Sequence, residues 1–252
     1  MEKDDIALVN WRDVPAAIGL LTRLPVPVNA AQATARGAKA AWAYPIAGLA
    51  VALLLGLIGG LTDGLLPQVQ AAILLAVMVI VTGALHEDGL ADTADGLWGG
   101  WDKARRLEIM KDSRIGAYGV IALVVTLLLR WICLSVLLAQ SDWVYALIAV
   151  AVVSRAPMVV LMAVMSNARG AGLSQSVGRP TPATAVLAVG VAAAAALLCL
   201  GWSGLVLCAF AAIATACCGA IAQRKIGGQT GDILGASQQI SEITLLIVLT
   251  AG

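Results

Sequence analysis

Residues 86–96, HEDGLADTADG, bring four carboxylates and the only histidine of the chain into eleven positions. Asp88, Asp92 and Asp95 are spaced four and then three apart, so on a helix they fall within about 60° of one another on one face. Carboxylates stacked in this way repel, which suppresses ionisation or frays the helix unless a cation intervenes. An all-oxygen set suits magnesium or manganese better than zinc, making these three aspartates candidate metal ligands. The bland alternative is a solvated acidic helix end. Against it stands the segregation of sign, because the acids are followed by a basic run, DKARRLEIMKDSR, at 102–114. An acidic face beside Lys111 and Arg114 supplies what a metal-bridged phosphate needs. His86 reads equally well as a hydrogen-bonded interfacial residue or as a proton carrier.

A second polar island, IGGQTGDILG at 226–235, precedes the last apolar run. Gly228, Gln229 and Thr230 offer backbone N–H groups to an anion, and Asp232 adds one more metal-capable carboxylate. Taken alone, these glycines fit a plain interhelical turn better.

The elements that must position these residues belong to a membrane. The 252 residues are 60% hydrophobic and only 12% charged, with a mean hydropathy of +0.92, whereas soluble domains carry about 25% charged residues. A formal net charge of +1 without a basic stripe argues against nucleic acid as a partner. Spanning needs roughly 20 apolar residues, and the runs 40–62, 64–85, 115–141, 143–168, 233–252 and the double-length 180–223 give seven spans. The double run is split by a turn at Gly201, Trp202, Ser203 and Gly204. The fold class is therefore all-α, a single polytopic membrane helix bundle over 1–252. It comprises an amino-terminal segment 1–39, an acidic-basic catalytic loop 86–116 and a Gly-rich loop 224–232.

Basic residues collect before span one and in every second loop, while the loops around Asp63, Asp142 and Trp202 hold none. The positive-inside rule then places the amino terminus and both polar islands on the cytoplasmic side of the cell inner membrane, and the carboxyl terminus outside. Residues 11–24 are too short to span and are expected to form an interfacial helix stopped by the prolines of LPVP. The amino terminus lacks the basic and apolar regions of a secretory signal, so no removal is expected. Five cysteines, odd in number and all in apolar runs, read as small core residues. Arg130, Arg155 and Glu242 fall inside spans, where a charge must face protein or water. Arg155, followed by Ala156 and Pro157, is expected to face a ligand, with a structural pair to Glu242 as its alternative; Arg130 is expected only to pair within the bundle. Small residues in spans five and six permit close helix packing within one subunit or in a homo-oligomer.

Four motifs in order, TRLPVP at 22–27, HEDGLADTADG at 86–96, RLEIMKDSRIGAYG at 106–119 and GGQTGD at 227–232, make the chain similar to the cobalamin synthases, the adenosylcobinamide-GDP ribazoletransferases. The resemblance runs from about residue 11 to the end. It implies a membrane enzyme of late cobalamin biosynthesis that joins adenosylcobinamide-GDP to α-ribazole or α-ribazole 5′-phosphate, releases GMP and needs magnesium. Laid onto this chain, it implies magnesium held by Asp88, Asp92 and Asp95 with Asp232. Lys111, Arg114 and Arg155 would balance phosphate charge, and Asp95 or, slightly behind it, His86 would accept the proton of the attacking hydroxyl. The D-x-x-D-G at 92–96 is also similar to CDP-alcohol phosphotransferases, but LWGGWDKARR follows where that family continues differently. A cation transporter would place its acids along a path inside the spans, and a docking subunit would leave the segregated charge without purpose.

Overall fold

The computed structural model describes residues 7–251; the acidic start of the chain, residues 1–6, lies outside them. Among the described residues every regular element is a helix, and the one β-type contact is an isolated parallel bridge between Asn167 and Gln229. In chain order the α-helices are α1 (Asp13–Leu21), α2 (Ala30–Arg36), α3 (Tyr44–Leu61), α4 (Pro67–Thr82), α5 (Leu85–Gly99), α6 (Lys103–Ile109) and α7 (Ala117–Leu137). They continue as α8 (Trp143–Val153), α9 (Ala156–Val164), α10 (Leu173–Val177), α11 (Pro182–Leu200), α12 (Ser203–Ile226) and α13 (Gly231–Thr250). Six helices are long and apolar enough to cross a membrane, or seven when α4 and α5 are taken as one bent span. The expected turn between the fifth and sixth spans is present, with Gly201 at φ +59°.

Helix starts follow the prolines, which sit at the first turns of α3, α4, α9 and α11, where a missing N–H costs nothing. The lipid-facing sides of α3, α4, α11 and α12 display Leu53, Leu57, Ile80, Val186, Leu198 and Ile213. The most enclosed span is α8–α9, 78% buried over its central window, followed by α13 at 67%, against 22% for α7 and α11. The other helices are thus arranged around α8–α9 and α13. Leu55, Leu74, Leu134, Leu147, Val150 and Leu245 close one end of the core, and Leu21, Tyr44, Met158, Met162, Ile226 and Leu234 close the other.

Two expectations are revised. The span expected at 64–85 ends three residues early: Gly83 (φ +64°) and Ala84 (φ +56°) both adopt left-handed backbone, and α5 leaves at 86° to α4. A non-glycine residue held there costs about 1–3 kcal/mol. The corner is held by Arg23 of TRLPVP, which packs on Gly83 and whose N–H donates to Val81 O at 2.6 Å. The acidic-basic stretch 86–116 is accordingly two helices, α5 and α6, rather than a loop. The amino-terminal helix is also shorter than expected and docks on the bundle. Ala17 and Leu21 are buried, and Asp13 accepts from Arg36 Nε and Trp42 Nε1, each at 2.8 Å.

Inside the bundle the buried charges form one network. Arg130 Nη1 donates to Glu87 Oε1 (2.8 Å) and Gln239 Oε1 (2.9 Å), and its Nη2 lies 2.9 Å from Glu242 Oε1. Gln238 Nε2 donates to Glu242 Oε2 (2.6 Å) and Ser154 Oγ (3.2 Å). Arg130 therefore takes Glu242, the partner offered as the alternative for Arg155, and ties α5, α7 and α13 together. Arg155 sits where the α8–α9 span breaks, with Nη1 donating to Ala151 O at 2.6 Å. Removing one member of a buried pair strands the other charge. Arg130→Ala is expected to cost about 3–5 kcal/mol, read as a lowered Tm in detergent, and Glu87→Gln should cost less because Gln239 and Arg130 keep an oxygen to bond.

Candidate active site

The site is set by the crossing of α5 over the start of α13. Gly89 lies so close that a Cβ there would sit 2.9 Å from Asp232 O, and a Cβ on Gly235 would sit 3.3 Å from His86 Cα. Only two glycines facing each other allow this approach. The crossing turns Asp88 and Asp92 toward Asp232 in the first turn of α13, close enough for these three carboxylates to repel one another. Asp88 and Asp92 have no hydrogen-bond or ion-pair partner among the described residues, and Asp232 lies 2.7 Å from Arg169 Nη2. Thr230 caps α13 by accepting from Ile233 N–H (3.3 Å). No three histidine, cysteine, aspartate or glutamate side chains among the described residues converge closely enough to hold a metal unaided.

The third aspartate of the sequence motif goes elsewhere. Asp95 is buried, and its two carboxylate oxygens accept from the backbone N–H groups of Gly116 (2.7 Å) and Gly119 (2.9 Å) at the start of α7. Added Cβ atoms on Gly116 or Gly119 would collide with that carboxylate, which explains the IGAYG spacing. Both carboxylate oxygens of Asp95 are thus taken by backbone N–H groups where α7 begins. Asp95, expected at the metal and as the base, is directed to the start of α7, whereas Asp88 and Asp92 face Asp232.

The expected phosphate contacts also separate. Arg114 is exposed and donates to Asp112 at 2.7 Å, holding that carboxyl below its ordinary range, and Lys111 is exposed without a bond to the acidic face. Arg155 is buried below the site. The basic run fastens helix ends instead. Arg106 donates to Gly100 O and Lys225 O, while Lys225 donates to Leu97 O and lies 4.6 Å from the Trp98 ring centroid. Gly228 and Gln229 serve as a clamp. Gln229 exchanges backbone hydrogen bonds with Ser166 and Ala168, its Oε1 accepts from Ser174 (2.7 Å), and Gly228 packs on Ser166 O.

That clamp brings in what the sequence reading missed, the segment 166–178 with Asn167, Arg169 and Ser174. Its signal was SNARGAG, a cation among glycines in a loop on the same side as both polar islands. Together α1, α5, α9, this segment and α13 enclose a cavity of about 160 Å³. Asp88, Asp232, Arg169, Asn167, Ser174 and Thr230 supply its polar lining, and Leu20, Leu21, Tyr44, Met158, Met162 and Leu173 its apolar wall. His86, fully enclosed, also lines it, and its Nε2 has no hydrogen-bond partner.

Comparison with known proteins matches this arrangement of motifs to one family. The family model described as cobalamin-5-phosphate synthase matches residues 13–250. An adenosylcobinamide-GDP ribazoletransferase of Bradyrhizobium diazoefficiens is 42% identical over 95% of this chain and 93% of its own. One from Azorhizobium caulinodans is 44% identical over 93% and 94%, and one from Rhizobium meliloti is 40% identical over 94% and 95%. No solved structure matches the chain. With a family model covering almost the whole bundle, and relatives above 40% identity that align nearly end to end, the chain belongs to the cobalamin-5-phosphate synthase family.

Proposed function

We propose that this chain is an adenosylcobinamide-GDP ribazoletransferase, joining the nucleotide-activated corrinoid to α-ribazole or its 5′-phosphate with release of GMP. Family membership and the activity for which its relatives are named support this reading. The structural observation that carries it is the facing of Asp88 and Asp92 on α5 against Asp232 on α13, with a single arginine, Arg169, at their edge. Three carboxylates against one guanidinium leave an excess of hard, anionic oxygen donors at one mouth of the bundle. A cation and a substrate phosphate would complete such a set. Magnesium fits it, because this ion is usually held by one or two carboxylates plus substrate phosphates rather than by a full protein cage. We assign Asp88, Asp92 and Asp232 to it; when bound, it would neutralise charge developing on the pyrophosphate.

The remaining steps fall to the chain itself. A ribose hydroxyl of the ribazole attacks the phosphorus attached to the cobinamide, and the bond from that phosphorus to the GMP oxygen breaks. Catalysis of such transfers is mainly positioning and charge neutralisation. We take Asp92, half-buried and without a protein partner among the described residues, as the acceptor of the hydroxyl proton through the carboxylate oxygen it does not give to the ion, the role first given to Asp95. Arg169 balances phosphate charge at the rim, the role expected of Lys111 and Arg114. The distribution of Lys and Arg supports a site opening to the cytoplasm and a carboxyl terminus outside, in a cell inner membrane. The lipid-synthase reading loses ground to the family match, and the transporter reading to a network in which the acids inside the spans, Glu87 and Glu242, are both already paired with Arg130.

Chelation of purified protein in detergent should abolish GMP release, and added magnesium should restore it; turnover indifferent to chelator would refute the metal assignment. Asp92→Asn is expected to lower kcat by about 10²–10⁴-fold, with the KM for ribazole little changed. Asp95→Asn should instead lower Tm before it lowers kcat, since it weakens a charge-assisted cap on α7. An Asp95→Asn protein of unchanged Tm and abolished kcat would return the base role to Asp95.

A further inference from the structure

The acidic helix has an apolar back. Leu90, Ala94 and Leu97 recur at i, i+4 and i+7 along α5, on the face opposite Asp88 and Asp92. With Ala122 of α7, Ile221 of α12 and Ile240 of α13, they line a crevice of about 280 Å³. Leu90 and Leu97 at its floor are buried, whereas Trp98, Ile221 and Ile240 at its rim are exposed. It therefore opens on the flank of the bundle, on the far side of α5 from the carboxylates.

One end of this crevice is basic. Lys225 Nζ lies 4.6 Å from the Trp98 ring centroid and donates to Leu97 O at 2.7 Å, which leaves two of its three N–H groups without an acceptor among the described residues. Lys103 Nζ packs beside Gly227, 3.2 Å from where a Cβ there would sit. Neither Lys103 nor Arg224, both exposed, has a hydrogen bond or ion pair among the described residues. The acids of these segments are spent on Arg105, which gives its backbone N–H to Asp102 (2.9 Å) and its guanidinium to Glu108 (2.8 Å).

Tryptophan beside lysine and arginine at the end of a spanning helix marks the membrane–water boundary, and basic clusters at that level attract anionic headgroups. A soluble anion has no use for the apolar crevice, and a neutral apolar molecule has none for the cations. An amphiphile matches both. A second copy of this chain docked here about a two-fold axis would set one basic cluster against the other, a costly juxtaposition.

We infer that this crevice is a binding site for an anionic phospholipid. One acyl chain lies against Leu90, Ala94, Leu97 and Ile240, and the headgroup phosphate takes the free N–H groups of Lys103 and Lys225. The lipid fills the space behind α5 and supports, from the membrane side, the helix whose other face carries Asp88 and Asp92. The site stands whatever reaction those aspartates serve.

The test places the full chain in phosphatidylcholine nanodiscs doped with phosphatidylglycerol or phosphatidylcholine bearing dibrominated acyl chains, which quench tryptophan fluorescence on contact. The Trp98 signal is the difference between the wild type and Trp98→Phe. Brominated phosphatidylglycerol should half-quench it at about one-fifth, or less, of the mole fraction that brominated phosphatidylcholine requires, the preference that one cation near the surface supplies. Lys103→Gln should narrow that preference, and Ala122→Phe, which fills the crevice from α7, should weaken quenching by both lipids. Lys103 is exposed, so its variant keeps the fold and reads the site even where Ala122→Phe does not fold. Equal quenching by the two lipids in the wild type, or wild-type quenching and preference in both variants, overturns the site. Absence of quenching by either lipid overturns it too, and cross-linking of two copies within one disc then identifies a second copy as the occupant.

Discussion

The close crossing of α5 over α13 is the contact on which the rest depends. Glycine on both helices, Gly89 against the backbone of Asp232 and Gly235 against that of His86, lets two polar helix segments meet at backbone distance inside a largely apolar protein. Van der Waals contact and interhelical hydrogen bonding, rather than water exclusion, must hold such a crossing in a membrane. The crossing is tethered at both ends. At one end Glu87 and Gln239 share Arg130, and at the other Asp95 caps α7. Between them α5 has little freedom to slide or rotate, and Asp88 and Asp92 are fixed in direction.

The four acids of α5 thereby meet four different fates decided by neighbours rather than by spacing. Glu87 enters the bundle interior and is matched by Arg130. Asp95 ends on backbone donors. Asp88 and Asp92 are left without a protein cation, facing Asp232, whose one arginine comes from a separate segment. In the interior, Arg130 and Arg155 stand against Glu87 and Glu242, two guanidinium groups against two carboxylates. Unbalanced charge deep in the bundle would be costly. The imbalance is confined to the mouth, where an ion or an anionic substrate with its counter-ion can relieve it.

How much of this was legible beforehand follows from which interactions are local. The all-helical, many-span character and the turn at Gly201 rest on composition and on glycine chemistry, which act within a few residues, and they could be read directly. The identity of the acidic face was legible as far as Asp88 and Asp92, which share a helical face by periodicity alone. What was not legible depended on contacts distant in sequence. The left-handed corner at Ala84 relies on Arg23, the commitment of Asp95 on Gly116 and Gly119, and the entry of Arg169 on a clamp between Ser166 and Gln229. A pattern of like charges says that a counter-charge is needed, but not which arginine in the chain supplies it. Lys111 and Arg114 were nearest in sequence, whereas Arg169 is nearest in space.

The corner between α4 and α5 shows why the acidic helix is not a straight continuation of its span. Extended along the axis of α4, α5 would carry His86 and Asp88 away from the bundle, with no second helix near enough to bring Asp232 opposite them. Turned by 86°, it is folded back across α13. The site then draws on helices far apart in the chain, α1, α5, α9 and α13, and its floor is protein rather than lipid. The strain of a left-handed alanine is a local cost, a few kcal/mol at most, set against the whole of that crossing. A glycine at residue 84 would relieve the strain but widen the conformations open to the corner in the unfolded chain. Arg23, packed on Gly83 and bonded to Val81, restricts the same corner from outside. The TRLPVP motif thus belongs to the site although none of its side chains needs to reach a substrate: it sets the angle at which the acids arrive.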